Sequence, residues 1–220
     1  MSSGGEPRED EAPPGSGDPR TRERILRAAW DEIVERGASM TLGHVADRAG
    51  VSRQAVYLHF GDRAGLLLAL VRFMPEALGF HRLLTHVLEA PDGVEMLRRA
   101  VELHSTYSAQ VDPVAEVLEA TQYRDEALGA AWRDRMEASR KVHRAIIERI
   151  ADEGRLADGW TVEDAGDLFY TVTMQGPWRE LTRESGWTPA RYVQNVTKML
   201  LASFVRNGRR PEAPSPTPSS

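Results

Sequence analysis

The chain has 220 residues, 41% of them hydrophobic and 28% charged, with a net charge of −5 and no cysteine. That length suits one compact domain or two small ones sharing an interface, and the missing cysteines exclude disulfides, thiolate metal sites and a cysteine nucleophile. No apolar run approaches the roughly 20 residues of a membrane span. The N-terminus also lacks a signal peptide's basic-then-apolar pattern, so a cytoplasmic location with no membrane partner is expected.

Residues 1–19 carry one Arg against five acids, and their Gly, Pro and Ser content predicts a disordered leader. The tail, 207–220, reads the same way. Residues 20–65 carry eight Arg against six acids, whereas 66–205 carry 16 basic against 21 acidic residues. A DNA-binding surface, if present, is therefore expected just after the acidic leader. Between leader and tail the apolar residues recur with helical period, which predicts an all-α protein of about nine helices.

A first helix is predicted over 21–36, with Thr21 as its cap, a stripe of Ile25, Ala29, Trp30 and Ile33, and Gly37 as its stop. Thr41 caps a short second helix carrying Leu42, Val45, Ala46 and Ala49, which Gly50 ends. Ser52 caps a third, where Val51 and Val56 can form a hydrophobic staple and Phe60 continues the buried face. Further helical stretches are expected over 63–89, 93–110, 113–123, 125–153, 161–184 and 188–206. Gly and Pro mark the breaks, among them Asp112-Pro113 and Trp187-Thr188-Pro189.

Two short helices joined by a tight Gly-containing turn, the second polar on its outer face, make a helix-turn-helix. The spacing alone is also compatible with two packed helices of an ordinary bundle. In the first reading Arg53 and Gln54 project outward and can grip guanine and adenine edges, and Ala55 allows close approach. Tyr57, His59 and the hydroxyl of Thr41 suit phosphate oxygens, which position a protein without reading sequence. Ser52 opens the reading helix, and Arg63 at the start of the next can hold a phosphate with that helix's N-terminal amides.

The stretch from Thr21 to Ala29, then Gly37, then Thr41 through Arg63 resembles the TetR-family N-terminal domain. The resemblance is carried by Ala-Gly-Val-Ser at 49–52, Tyr-x-x-Phe at 57–60 and the Gly-Asp-Arg leading into a Leu-rich helix. It implies an N-terminal three-helix DNA-binding domain over 20–66 and a helical effector-binding and dimerisation domain over 67–206. It also implies a homodimer on double-stranded DNA at an inverted-repeat operator, and a repressor released by a small-molecule ligand. This sequence departs from the pattern at Ile33, where an aromatic is usual, at Arg63 in place of Lys, and at His44 in place of an acid.

The same resemblance implies that the last two long helices pair with their copies in a second subunit, through Leu168, Val172 and Leu181 on one and Tyr192, Val196, Met199, Leu200 and Ser203 on the other. Each is otherwise ordinary core. A ligand pocket is expected among Phe80, His104, Tyr107, Tyr123, Trp132, Met136, Phe169, Tyr170 and Trp178, each otherwise ordinary core, and a mostly apolar cavity with a few polar groups suits a drug-sized molecule. No cofactor and no metal are expected, because the six His are scattered and His81 and His86 stand five apart. The sequence holds no G-x-S-x-G, no H-E-x-x-H and no Gly-rich phosphate loop, so a regulator and not an enzyme is expected. An alternative of another class is a helical protein that binds a protein partner through its acidic C-terminal part.

Overall fold

Asp18 starts the first helix. The computed structural model describes residues 18–206, so the expected tail and all but the end of the expected leader lie outside it. Helix α1 (Pro19–Arg36) is capped by the Asp18 carboxylate, which accepts from the backbone N–H groups of Arg20 at 3.1 Å and Thr21 at 3.2 Å. Thr21, expected as the cap, lies inside the helix and donates its hydroxyl to Asp18 at 2.9 Å. A carboxylate is the stronger acceptor, and Pro19 suits a first turn where its missing N–H is not needed.

Helices α2 (Leu42–Ala49) and α3 (Arg53–Phe60) begin at the expected caps. Thr41 Oγ1 accepts from His44 N at 3.2 Å and Ser52 Oγ from Ala55 N at 3.1 Å. Gly50 takes φ 64°, ψ 39°, the left-handed conformation that ends α2 at little cost only for glycine. Helix α4 (Arg63–Ala77) then starts hard against the end of α3. A Cβ on Gly65 would sit 2.0 Å from the Phe60 carbonyl oxygen, so only glycine fits this junction.

Three expected helix boundaries are corrected. The stretch 63–89 is two helices, α4 and α5 (Phe80–Leu88), bent by 54° around Gly79 at φ 62°. The expected break at Asp112-Pro113 is absent, and α6 runs for 29 residues (Gly93–Thr121) straight through it. Proline costs α6 a backbone hydrogen bond. Around it, however, Val111 and Val114 are anchored in the core, and buried Asp112 is held by Arg179 at 2.8 Å and Arg183 at 2.6 Å. The stretch 161–184 divides into α8 (Val162–Val172), α9 (Gln175–Arg179) and a π-helical turn (Glu180–Glu184), because Met174 is extended at ψ 163°. With α7 (Glu126–Asp152) and α10 (Pro189–Phe204), the described residues form ten α-helices.

The apolar faces collect into two cores. The first joins α1 to α4 with the C-terminal half of α6 (Val111, Val114, Val117, Leu118) and Leu128 of α7. The second joins the N-terminal half of α6 (Met96, Leu97, Val101) with α7, α8 and α10. Helix α6 is therefore common to both. The domain boundary expected between 66 and 67 falls within α4, whose Leu66, Leu67 and Leu70 are all buried in the first core. Among the described residues no single helix is long and apolar enough to cross a membrane, although the bent α4–α5 pair has that composition.

Candidate nucleic-acid interface and effector cavity

The angle between α2 and α3 is fixed from below. Val45, Ala46, Ala49, Val56 and Phe60 are buried under the pair, and Arg22 of α1 stacks 4.6 Å from the Phe60 ring centroid. Beneath α2 lies a buried carboxylate, Glu32 of α1, which accepts from Arg48 at 2.6 Å and Arg36 at 2.7 Å. The Arg48 hydrogen bond holds Glu32 below the usual carboxylate range against the opposing effect of burial, with Arg36 adding to it. This bridge ties α1 to α2 by charge as well as packing.

On the opposite side of α3, Ser52, Arg53, Gln54 and Tyr57 are exposed, while Ala55 and His59 are half-buried. The Arg53 side chain lies across α2, where a Cβ on Gly43 would come within 2.8 Å of its Nη2. Glycine there makes room for the guanidinium. Thr41 is exposed next to this face. Arg63 donates to the Ala38 carbonyl at 3.1 Å, which leaves its other N–H groups for an incoming anion.

Further along the chain a cavity of about 570 Å³ opens between α4, α5, α6 and α7. Of the residues expected to line it, His104, Tyr107, Met136 and Tyr170 do, as does Phe80. Four others do not. Tyr123 is 89% exposed beyond the end of α6, Trp132 packs on the first core, and Phe169 and Trp178 are buried in the second. Trp132, Phe169 and Trp178 sit on helix faces turned to solid core, whereas Tyr123 stands in the turn after α6.

The cavity's polar groups are neutral at its deep end. Burial pushes the His104 imidazole down to about 3, with nearby His143 a smaller cause. Burial lowers His143 as well, against a hydrogen bond to the Ser139 carbonyl. That bond, 2.7 Å from Nδ1, requires Nδ1 to carry the proton, and Nε2 lies 2.9 Å from the Thr173 hydroxyl oxygen, which also stands 2.8 Å from the Phe169 carbonyl. Ser108 lies 3.3 Å from His104 Nδ1 and accepts from Gln175 Nε2 at 3.1 Å, linking α6 to α9. Nearer the rim, Arg135 donates to the Tyr107 hydroxyl at 2.8 Å. Among the described residues no cluster of His, Asp or Glu converges as a metal site.

Residues 25–70 match the family described as bacterial regulatory proteins, tetR family. The HTH-type transcriptional repressor BepR of Brucella suis is 31% identical over 166 residues, which cover 69% of this chain and 76% of that protein. The chain belongs to the TetR family. It is a DNA-binding transcriptional regulator, as several of the relatives it matches are by name. Two solved structures share the fold. A putative transcriptional regulator from Saccharomonospora viridis in complex with choline has a TM-score of 0.76 at 19% identity, over 86% of this chain and 99% of that one. SmeT, the repressor of the Stenotrophomonas maltophilia multidrug efflux pump SmeDEF, has a TM-score of 0.62 at 23% identity, over 90% and 97%.

For a TetR-family chain the residues expected at a subunit interface divide unevenly. Leu168 of α8 and Met199 of α10 expose apolar surface, and Val172, Leu181 and Ser203 are half-buried. Tyr192, Val196 and Leu200 are corrected to internal core, since α10 turns that face onto Leu97, Phe169 and their neighbours in the second core. Sequence reasoning missed Glu32, Arg135, His143, Thr173 and Gln175. Only a charge at a core position of a helical stripe could have signalled Glu32; the other four are brought together by tertiary packing. Leu58, 62% exposed on α3, was also missed, and its signal was an apolar residue off the buried 56/60 face.

Proposed function

We propose that this TetR-family chain acts in the cytoplasm as a homodimeric repressor of an inverted-repeat operator, released when a small molecule fills the cavity, and has no enzymatic activity. Arg53 and Gln54 read base edges, Ala55 admits the helix to the major groove, and Thr41, Ser52, Tyr57, His59 and Arg63 hold phosphates. Leu168, Val172, Leu181, Met199 and Ser203 supply the interface. The observation that carries the reading is α6, one rigid helix that lines the cavity through His104 and Tyr107 and then enters the core of the DNA-binding head through Val114 and Leu118. A relative of this fold holds choline and another holds triclosan, which supports a small molecule as the signal.

The polar links offer a second route between the two sites. Gln175 lines the cavity, and one turn on, Arg179 of α9 holds Asp112 at 2.8 Å and Glu119 at 3.3 Å, both on the head-ward half of α6. A ligand that prefers the arrangement with the heads apart by 1.4 kcal/mol weakens operator binding about tenfold. Fluorescence anisotropy of a labelled duplex across a salt series tests the DNA half of this reading. Affinity should fall steeply with salt, because binding releases the counterions condensed on several phosphates. A flat salt response, or equal affinity for every duplex, would overturn it.

A further inference from the structure

Of the arginines on α7, the exposed Arg133 and the half-buried Arg135 hold no carboxylate of the described residues. Arg140, Arg144 and Arg149 each hold a carboxylate at 3.2, 3.5 and 2.6 Å. Arg135 lies half-buried in the cavity wall, and no carboxylate of the described residues comes within 4.0 Å of it. Among the described residues its one hydrogen bond is to the Tyr107 hydroxyl at 2.8 Å, which uses one of the five guanidinium N–H groups. The group is also held in place, 5.4 Å from the Phe80 ring centroid and 5.7 Å from that of Tyr107. A partly desolvated cation without a counter-ion is costly, and a planar guanidinium fixed in this way presents the fork that a carboxylate matches with two parallel hydrogen bonds.

We propose that the ligand of this cavity is an amphipathic carboxylate, its acid group on the Arg135 guanidinium and the Tyr107 hydroxyl, its apolar body against Leu84, Leu103 and Val142. The effector role of that ligand rests on the function proposed above. The Tyr107 oxygen accepts from Arg135 and keeps its own proton to donate to the acid, a state that burial of the phenol favours, against the pull of Arg135. Leu84, Leu103 and Val142 line the same cavity. A cationic ligand is disfavoured because the aromatic faces that would receive it are already taken. Arg135 lies over Phe80 and Tyr107, and Arg140 stacks 4.3 Å from the Tyr170 centroid. The acids among the lining residues, Glu76 and Asp134, are exposed at the rim, where water and salt screen them.

Calorimetric titration of the full-length protein with decanoate, decanol and decyltrimethylammonium, three probes of one chain length, tests the assignment. Decanoate should bind at least tenfold tighter than either of the others. Arg135→Met should remove that advantage, bringing decanoate to the affinity of decanol or below, and Arg135→Lys should keep part of it. Thermal melting of both variants checks that they are folded; should the Met variant fail, the Lys variant still reads the loss of the bidentate contact. Decanol or the ammonium binding as tightly as decanoate, or none of the three binding, overturns the carboxylate assignment. Decanoate held through Arg135 with no effect on DNA occupancy supports the site and overturns the effector reading instead.

Discussion

The DNA-binding head and the lining of the cavity bury polar groups of opposite kinds. In the head the buried group is charged: Glu32, ion-paired to Arg36 and Arg48, locks α1 to α2. Around the cavity the buried groups are neutral, two imidazoles with hydroxyl and amide partners drawn from α6, the end of α8 and α9. An ion pair with a defined partner favours one geometry, as suits a surface that must present α3 at a fixed angle. Neutral groups beside an open cavity can exchange partners with a ligand at smaller cost.

The largest expected effect separates cavity wall from solid core. Phe169→Ala should lower stability by about 3–5 kcal/mol, as removal of a fully buried aromatic does, measured by urea unfolding. Met136→Ala, at the cavity wall, should cost much less stability and change ligand binding instead. If the two variants lose equal stability, the division of these residues between core and cavity is wrong. Next in size is the reading contact on α3. Arg53→Ala should cost roughly 1–3 kcal/mol at the operator and relax one base position, whereas Thr41→Ala should weaken all duplexes alike. Anisotropy on operator and scrambled duplexes distinguishes the two patterns.

Acid should then affect the two halves at different pH. His104 stays neutral in the folded protein, while the unfolded chain takes up its proton below about 6.5. The unfolded state therefore binds more protons, and stability should fall by about 1.4 kcal/mol per pH unit below that value. Glu32 has its pKa depressed from 4.5, so its contribution is present above 4.5 and lost only as pH falls further through the folded value. Melting curves of His104→Phe should be flatter than wild type between pH 6.5 and 5, and an unchanged slope would contradict the neutral imidazole. The smallest effect concerns Tyr192, whose buried hydroxyl has no hydrogen-bond partner among the described residues. Tyr192→Phe should be within about 1 kcal/mol of wild type or slightly more stable. A clear loss in the melting temperature would show that the hydroxyl gains a partner in the assembled or ligand-bound protein.

The head was legible because its signals are local. Thr41, Gly50 and Ser52 set the boundaries of α2 and α3 within a few residues of themselves, and Val56 and Phe60 set which face is buried. Glu32 escaped notice because a carboxylate on an apolar stripe takes its meaning from Arg48, 16 residues away. The cavity was only half legible for the same reason. His104 and Tyr107 share a helix face and were read together, but Arg135, His143 and Gln175 join them only through packing of α7 and α9. Pro113 misled the helix boundaries, since its local cost is outweighed by Asp112, Arg179 and Arg183, which meet across 67 or more residues. Tyr192, Val196 and Leu200 make a sound apolar stripe, but periodicity does not say whether a stripe meets its own chain or another.

The most direct test of the account is selection of a random duplex library on the full-length protein, followed by sequencing of the retained pool. Two α3 helices related by a two-fold axis should enrich an inverted repeat whose half-sites lie about one helical turn apart or a multiple of it. A pool with no enriched sequence, at low as well as moderate salt, would contradict a dimer that reads DNA.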